Sequence, residues 1–331
     1  ALGFIGRTLL ETLIEQNCEA ELYGIDIKPF PSNANALKQN IRYKQLDIRN
    51  KELVQSYVRK HKFDGIVHLA AVSRVEDAEN DKKNCIDTNY NGTKYIATAA
   101  AENRSSWFIF GSSREVYGEQ KNFPVSENAD LLPLNIYGFY KLEGERIVKA
   151  SFEKYCVLRF SNVYGNTYDI PKRVIPKFVQ TALQGGELTL EGGAQIIDFT
   201  FIDDTVKSII RCMEFLDADK IKKETIHILP GRENKITDII DILRKKQMHF
   251  SVLKKDARNY DVQQFVGNPY HMRDVLELDP SDFVTLEEGI EKGFIEYVGD
   301  DCKEALYDAI KARSVRPGIC KTAGLKLVYS P

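Results

Sequence analysis

The sequence lacks several features that would assign it to a specialised class of protein. Its six cysteines, at positions 18, 85, 156, 212, 302 and 320, form no CxxC pair, and its five histidines are scattered. This pattern argues against a bound metal and fits a reducing, cytoplasmic compartment. No apolar run approaches the roughly 18 residues of a membrane span. The formal net charge of −2 gives no reason to expect a nucleic-acid partner.

The sequence does contain a regular alternation of predicted strands and helices. Buried-type strands are predicted at 20–26, 41–47, 63–71, 107–113 and 155–160, with apolar residues at helical spacing between them. This order is typical of an α/β protein with a doubly wound, parallel Rossmann sheet. Because the chain's 331 residues exceed the roughly 250–300 at which one core usually divides, we expect a second, smaller domain.

The first residues look like the end of a phosphate-binding turn. Gly3 and Gly6 are spaced like the last two glycines of such a turn and lead into an amphipathic helix, but no strand or initiator methionine precedes them. We therefore expect the true start and the first strand to lie outside this sequence. Asp26 follows Gly6 by the roughly 20 residues at which a dinucleotide fold places a ribose-binding carboxylate. That carboxylate favours NAD over NADP, although nearby Lys28 leaves the choice open.

Four residues with plausible binding roles fall at predicted carboxyl ends of strands: Asp26, Asp47, Ala70 and Ser113. Ligands of parallel α/β sheets bind at this edge, so we expect the four to share one site. Asp47 is placed to meet an adenine amine. The small side chains of Ala70 and Ala71 would let a flat cofactor approach the backbone.

Tyr137 and Lys141 are four residues apart in a predicted helix that follows Ser113. This spacing puts both side chains on one helical face. An unperturbed phenol titrates near roughly pH 10, so a tyrosine used as a base near neutrality needs a cationic neighbour. We therefore expect Lys141 to lower the pKa of Tyr137. The spacing also arises by chance, so its meaning depends on the motifs around it.

Taken in order, the motifs over residues 1–295 resemble the extended short-chain dehydrogenase/reductases that modify nucleotide sugars. The matching pieces are 3–6, Asp26, Asp47, 68–71, 112–118, Tyr137 with Lys141, 159–165 and 198–204. The resemblance implies an NAD-dependent, cytoplasmic and homodimeric enzyme whose substrate is a nucleotide sugar, with a UDP-sugar favoured. It also implies chemistry through a 4-keto sugar.

The resemblance implies roles for particular residues. Tyr137 would take the proton from a sugar hydroxyl, Lys141 would hold the nicotinamide ribose, and Ser113 would hydrogen-bond the sugar oxygen as it becomes a carbonyl. The implied NAD contacts are Gly3, Phe4, Ile5, Gly6, Asp26, Ile27, Asp47, Ile48, Leu69, Ala70, Ala71, Asn89, Tyr137, Lys141 and Phe160. The implied substrate contacts are Ser73, Ser113, Arg114, Asn162, Ile175 and Arg258, with Asn162 and Arg258 at the diphosphate.

Two residues depart from the family pattern. Ile197 stands where the family has an arginine on the diphosphate, and an aliphatic side chain cannot grip phosphate. The candidate replacements are Lys172, Arg173 and Lys177, which are otherwise solvated surface charges. Glu191 stands where the family often has an aromatic residue that stacks on the base, which weakens the case for uridine.

The step that follows oxidation has three candidate outcomes: C4 epimerisation, loss of water (4,6-dehydratase) or loss of a carboxylate (decarboxylase). Dehydratases carry Asp-Glu after the hydroxyl residue, whereas here Arg114 precedes Glu115, so only Glu115 remains as a possible C5 base. Decarboxylases often have an acidic residue after the tyrosine, where Gly138 stands. The pattern Tyr137-Gly138-x-x-Lys141 is common among epimerases, so we favour an epimerase.

The predicted domains are a Rossmann domain at 1–165, a mostly substrate-binding part at 166–299 with segments that return to the Rossmann domain, and a C-terminal extension at 300–331. Within the extension, 303–310 is a predicted amphipathic helix of unknown role. Two other classes remain open: an inactive NAD-binding regulatory protein and a simple reductase that releases NAD(H). An inactive protein usually lacks the serine, tyrosine or lysine, all of which are present here.

Overall fold

The chain folds into alternating strands and helices, as the sequence predicts. The computed structural model describes residues 1–32, 34–246, 248–258, 260–298 and 326–330. The described strands are β1 (Glu21–Asp26), β2 (Ile41–Gln45), β3 (Gly65–His68), β4 (Trp107–Ser113), β5 (Tyr155–Phe160), β6 (Asn162–Tyr164), β7 (Glu187–Glu191), β8 (Ile196–Ile197), β9 (Phe199–Phe201), β10 (Lys223–Ile228), β11 (Asn234–Lys235), β12 (Ser251–Lys255), β13 (Gln264–Phe265) and β14 (Lys326–Ser330).

The helices connect these strands. They are α1 (Phe4–Glu15), α2 (Asn35–Asn40), α3 (Lys51–His61), α4 (Val75–Asn80), α5 (Lys82–Cys85), α6 (Thr93–Glu102), α7 (Ile136–Ser151), α8 (Val174–Leu183), α9 (Ile202–Asp217), α10 (Ile236–Lys245), α11 (Tyr270–Leu276) and α12 (Leu286–Val298). A π-helical segment, Ile86–Gly92, leads into α6, and single 3₁₀ turns lie at Arg114–Val116 and Pro280–Asp282. Within the described ranges, no helix is long and apolar enough to cross a membrane.

The main sheet is parallel and has helices on both faces, which confirms the predicted fold class. Seven of the described strands form it, in the order β10-β5-β4-β3-β14-β1-β2. Successive residues of β4 point to opposite faces: Phe108 packs in the hydrophobic core shared with α3, α6 and α7, and Ile109 in the core shared with α1 and α9. Both cores are built from near-continuous apolar strands, as parallel sheets require.

Strand β14 fills the centre of this sheet. It pairs in parallel with β1 on one side and with β3 on the other. In the strand order typical of dinucleotide folds, this is the position of the first strand. The first strand was expected to lie outside this sequence, whereas in the structure residues 326–330 occupy its place. The helix predicted at 303–310 lies outside the described residues.

The second half of the chain builds small sheets beside the main one. Strands β6 and β9 pair with each other, β7 pairs with β12, and β8 lies between β11 and β13. Strand β10 returns to the edge of the main sheet, next to β5, and α9 packs against α1. The later segments therefore alternate between the Rossmann body and the smaller layer.

A buried ion pair fixes α7 against the sheet. The Arg159 guanidinium on β5 donates to both Glu145 carboxylate oxygens on α7, at 2.9 and 2.8 Å, and Ser112 on β4 donates to the same carboxylate at 2.6 Å. Arg159 also donates to the Tyr117 hydroxyl, which in turn shares a 2.5 Å hydrogen bond with His227. Burial lowers the pKa of His227 to about 3, so its ring is neutral and accepts this proton.

We expect Glu145→Gln to lower the free energy of unfolding by about 3–5 kcal/mol, because the change leaves the buried Arg159 charge without its partner. The matched control is Glu143→Gln on the same helix, whose partner Arg146 is 65% exposed, and it should cost at most about 1 kcal/mol. Chemical denaturation at neutral pH measures both values. Equal losses in the two variants would contradict the role given to this pair.

Candidate active site

A large cavity opens at the carboxyl ends of the main-sheet strands. Its volume is about 1220 Å³, above the roughly 300–1,000 Å³ of a site for one small ligand. Its walls come from the start of α1, from the residues that follow β1 to β5, and from the 168–178, 189–197 and 258–262 segments. All the predicted catalytic, cofactor and substrate residues line this cavity except Asn89.

The turn between Gly3 and Gly6 has the features that a dinucleotide pyrophosphate requires. Gly3 precedes α1 and supplies no side-chain cap, and the first turn of α1 carries no acidic residue. The N–H groups and positive dipole end of the helix therefore remain available to an anion. A Cβ on Gly6 would lie 3.0 Å from the carbonyl oxygen of Ala1, so glycine keeps the turn tight. These residues fit the phosphates of NAD.

Asp26 lies at the end of β1, where the sequence predicts it. Its carboxylate accepts hydrogen bonds from the backbone N–H of Leu2, at 2.6 Å, and of Lys28, at 2.9 Å. The side chain is 2% exposed. Asp26 thus joins the glycine turn to the end of β1, and its contact with a ribose stays a prediction.

Asp47 has a partner that the sequence analysis missed. The Arg49 guanidinium donates hydrogen bonds to both Asp47 carboxylate oxygens, at 3.0 and 2.7 Å, and holds the pKa of that carboxyl below its usual range. The neighbouring Ile48 packs against Gly92 of the π-helical segment. The Asp-x-Arg spacing was visible in the sequence, but nothing there distinguishes it from two solvated charges.

Asn89 is hydrogen-bonded to the backbone of Val72, a residue that lines the cavity. Its side chain is 1% exposed, donates to the Val72 carbonyl at 3.1 Å and accepts from the Val72 N–H at 2.8 Å. Both ends of the amide are thus engaged by one backbone residue, and a contact of Asn89 with the cofactor stays a prediction. Asn89 positions the cavity-lining segment that runs from Ala70 to Ser73.

The three catalytic candidates converge on one part of the cavity. The Ser113 hydroxyl lies close enough to the Tyr137 phenol to lower its pKa and accepts from the Glu115 N–H at 3.2 Å, and the Lys141 ammonium lies 5.8 Å from the centre of the Tyr137 ring. Lys141 donates to the Gly111 carbonyl at 2.7 Å, which holds its amino group at the end of β4. The helix that carries Tyr137 and Lys141 packs closely on the preceding turn, because a Cβ at Gly138 would collide with the Glu115 carbonyl oxygen.

The expected lowering of the Tyr137 pKa is opposed by burial. Desolvation raises the pKa of Tyr137 to about 12, outweighing the Ser113 hydroxyl and the nearby Arg173 charge, which lower it. Burial also lowers the pKa of Lys141 to about 8, against the attraction of Cys85 and Glu145. In this dry pocket, desolvation is the largest influence on both groups.

Arg114 and Glu115 form a buried pair beside Ser113. The Arg114 Nη2 and Glu115 Oε1 atoms are 3.0 Å apart, and each side chain is 9% exposed. The other Glu115 oxygen accepts from the Asn135 amide at 2.8 Å, and Arg114 Nε donates to Asn162 Oδ1 at 3.0 Å. Both carboxylate oxygens of Glu115 therefore already have donors, and Asn162 is linked to Arg114 from across the cavity.

Two arginines face the cavity from the later segments. Arg173 lies 3.3 Å from both Asp169 and the Ser73 hydroxyl. Burial raises the pKa of Asp169 to about 6.

Arg258, on the opposite wall, is surrounded by carboxylates. Its guanidinium lies 2.8 Å from Asp261, 3.4 Å from Glu191 and 3.8 Å from Glu76. Glu191 therefore pairs with an arginine at the position where the family often has an aromatic ring.

Comparison with known proteins places the chain in a family. Residues 1–228 match the NAD dependent epimerase/dehydratase family. A putative UDP-glucose 4-epimerase from Methanocaldococcus jannaschii is 29% identical over 251 residues, which span 73% of this chain and 79% of that one. A UDP-N-acetyl-alpha-D-glucosaminuronate decarboxylase from Bacillus cytotoxicus is 31% identical over 253 residues, 72% of this chain and 75% of that one.

A solved structure is similar over most of the chain. It is a UDP-glucuronic acid 4-epimerase from Bacillus cereus in complex with UDP-glucuronic acid and NAD. The two chains are 26% identical, with a TM-score of 0.79 over 89% of this chain and 96% of that one. The glycine turn, the buried Ser113–Tyr137–Lys141 group and these matches agree: the chain belongs to the NAD dependent epimerase/dehydratase family and is an NAD-dependent enzyme.

Proposed function

We propose that the enzyme interconverts C4 epimers of a nucleotide-activated sugar, a UDP-sugar in the first instance, through a 4-keto intermediate. One observation supports this proposal: the residues needed for oxidation lie together in the pocket, while the carboxylate needed for dehydration is already hydrogen-bonded. Ser113, Tyr137 and Lys141 converge on a single point, whereas the Glu115 carboxylate is held by Arg114 and Asn135. The groups for oxidation at C4 are thus present, and no unengaged acid follows Ser113 among the described residues, where a dehydratase needs one.

Each residue has its own role in the proposed reaction. The Tyr137 phenolate accepts the proton of the sugar hydroxyl, and the Ser113 hydroxyl hydrogen-bonds the same oxygen as it becomes a carbonyl. Lys141 stabilises the phenolate electrostatically from its position at the Gly111 carbonyl. The glycine turn and the Ala70–Ala71 backbone would hold NAD, which would supply reversible hydride transfer at C4. Return of the hydride to the opposite face of the ketone gives the epimer.

Two other reactions follow from the same 4-keto sugar, and relatives of this chain include dTDP-D-glucose 4,6-dehydratases as well as the decarboxylase. Dehydration needs an acid and a base near C5 and C6. Arg114 cannot act as the acid, because a guanidinium stays protonated. Glu115 would first have to leave both of its donors before it could act as the base.

For the diphosphate, we infer that Arg173 replaces the arginine that is missing at Ile197, and that Arg258 contributes from the opposite wall. Arg173 supplies a guanidinium on the cavity side of α8, close enough for its charge to act on Tyr137. Of the replacements that the sequence suggested, it is the one with contacts on both sides of the cleft, at Asp169 and Ser73.

The reaction can be tested by incubating the protein with UDP-, GDP-, CDP- and dTDP-sugars in deuterated water and analysing the products by NMR. We expect a C4 epimer with no solvent deuterium on carbon, because the hydride that leaves C4 returns to C4. Dehydration would instead place deuterium at C5 or C6, and decarboxylation would release CO₂. A deuterated product would replace the epimerase proposal, and an unchanged panel would contradict a nucleotide-sugar substrate.

Tyr137→Phe should reduce turnover by about 10²–10⁴-fold, because it removes the proton acceptor. The amount of NAD bound should stay as in the wild type. Tyr140→Phe is the matched control, since Tyr140 is a neighbouring tyrosine of α7 whose ring packs against Tyr90 at a tilt of 53° and does not line the cavity. Turnover retained in Tyr137→Phe, or lost equally in both variants, would remove Tyr137 as the base.

Arg173→Gln should weaken binding of UDP by about 10–100-fold, the value of a charge-assisted hydrogen bond, and leave binding of uridine unchanged. Calorimetric titration measures both ligands. Arg211→Gln is the control, because Arg211 lies on α9 and pairs with Glu214 outside the cavity. An equal loss for uridine and UDP would show that Arg173 does not contact the diphosphate.

A further inference from the structure

The Arg114 guanidinium has one donor group that no described residue satisfies. Its Nε donates to Asn162, and its Nη2 pairs with Glu115. Its Nη1 is buried and has no hydrogen-bond acceptor among the described residues. A buried, unpaired donor on a charged group is costly, so its presence beside an active site calls for an acceptor that arrives with a ligand.

Arg114 is next to the reacting centre. It follows Ser113 directly in the chain, and both residues line the cavity that contains Tyr137. The guanidinium is anchored on two sides, by the Glu115 carboxylate and by Asn162 from the segment after β5. Its position is therefore set before a ligand binds.

The residues around Arg114 favour one of the two hydrogen-bond acceptors that a sugar can present, a carboxylate rather than a hydroxyl. A hydroxyl accepts one hydrogen bond and also needs an acceptor for its own proton. The acceptors bonded to this group, the two Glu115 oxygens and Asn162 Oδ1, already receive donors from Arg114 and Asn135. The Asp261 carboxylate, whose charge also acts on Arg114, pairs with Arg258. A carboxylate has only acceptors to satisfy, and its charge and planar shape match a guanidinium.

We propose that Arg114 binds a carboxylate of the sugar, and that the substrate is a nucleotide-activated uronic acid rather than a neutral hexose. The inference rests on the proposed C4 chemistry and names the class of sugar on which that chemistry acts. The carboxylate of a uronic acid is attached to C5, next to the carbon whose oxygen Ser113 and Tyr137 hold. Arg114 then selects the substrate through the ring position adjacent to the reaction.

The test compares UDP-glucuronic acid with UDP-glucose, with C4 epimers measured by NMR. The wild type should show a higher kcat/KM for the uronic acid. Arg114→Gln should reduce kcat/KM for the uronic acid by about 10–100-fold more than kcat/KM for the hexose. Arg173→Gln is the matched control, because loss of a diphosphate contact should lower both values by the same factor.

The single variant leaves the Glu115 charge unpaired, so its folding has to be separated from its selectivity. The double variant Arg114→Gln/Glu115→Gln removes both charges, and it should show the same loss of preference for the uronic acid. If the wild type favours UDP-glucose, or if Arg114→Gln lowers both values equally, the inference is overturned while the epimerase proposal stands. If neither sugar is epimerised, the proposed function itself fails.

Discussion

The buried ion pair between Arg159 and Glu145 is the constraint on which the active site depends. Glu145, Lys141 and Tyr137 are spaced four residues apart on one face of α7, so a fixed Glu145 also fixes the two residues above it. The pair ties this helix to β5 and, through Ser112, to β4, the strand that carries both Ser113 and the backbone carbonyl to which Lys141 donates. A structural ion pair below the pocket therefore sets the geometry of the proton chemistry within it.

Burial shapes the chemistry as strongly as the choice of residues does. The phenol of Tyr137 is harder to ionise in this protein than in water, and the ammonium of Lys141 is easier to deprotonate. A dry pocket increases the effect of every charge that enters it, because the local dielectric is low. The base is thus poorly activated by the protein alone, and its reactivity responds to the charges of the molecules that bind beside it.

Much of this arrangement could be predicted from the sequence, and the exceptions have physical reasons. In parallel α/β sheets, the residues that bind ligands lie at the carboxyl ends of the strands. The predictions for Asp26, Ala70 and Ser113 therefore needed only local sequence patterns. The hydrogen bonds of Asn89 to the Val72 backbone were hidden, because helical spacing cannot show whether a buried amide faces a ligand or a backbone. The central position of residues 326–330 was equally hidden, because pairing between distant segments leaves no periodic signal.

The Asn135 side chain contacts both the Arg114–Glu115 pair and the first turn of α7. Its side-chain oxygen Oδ1 accepts from the Gly138 N–H and caps α7, while its side-chain nitrogen Nδ2 donates to Glu115. One rigid side chain thus connects the Arg114–Glu115 pair to the first turn of the helix that bears Tyr137. A single residue therefore holds the buried ion pair and the start of the catalytic helix in one fixed arrangement, so a change at Asn135 would disturb both.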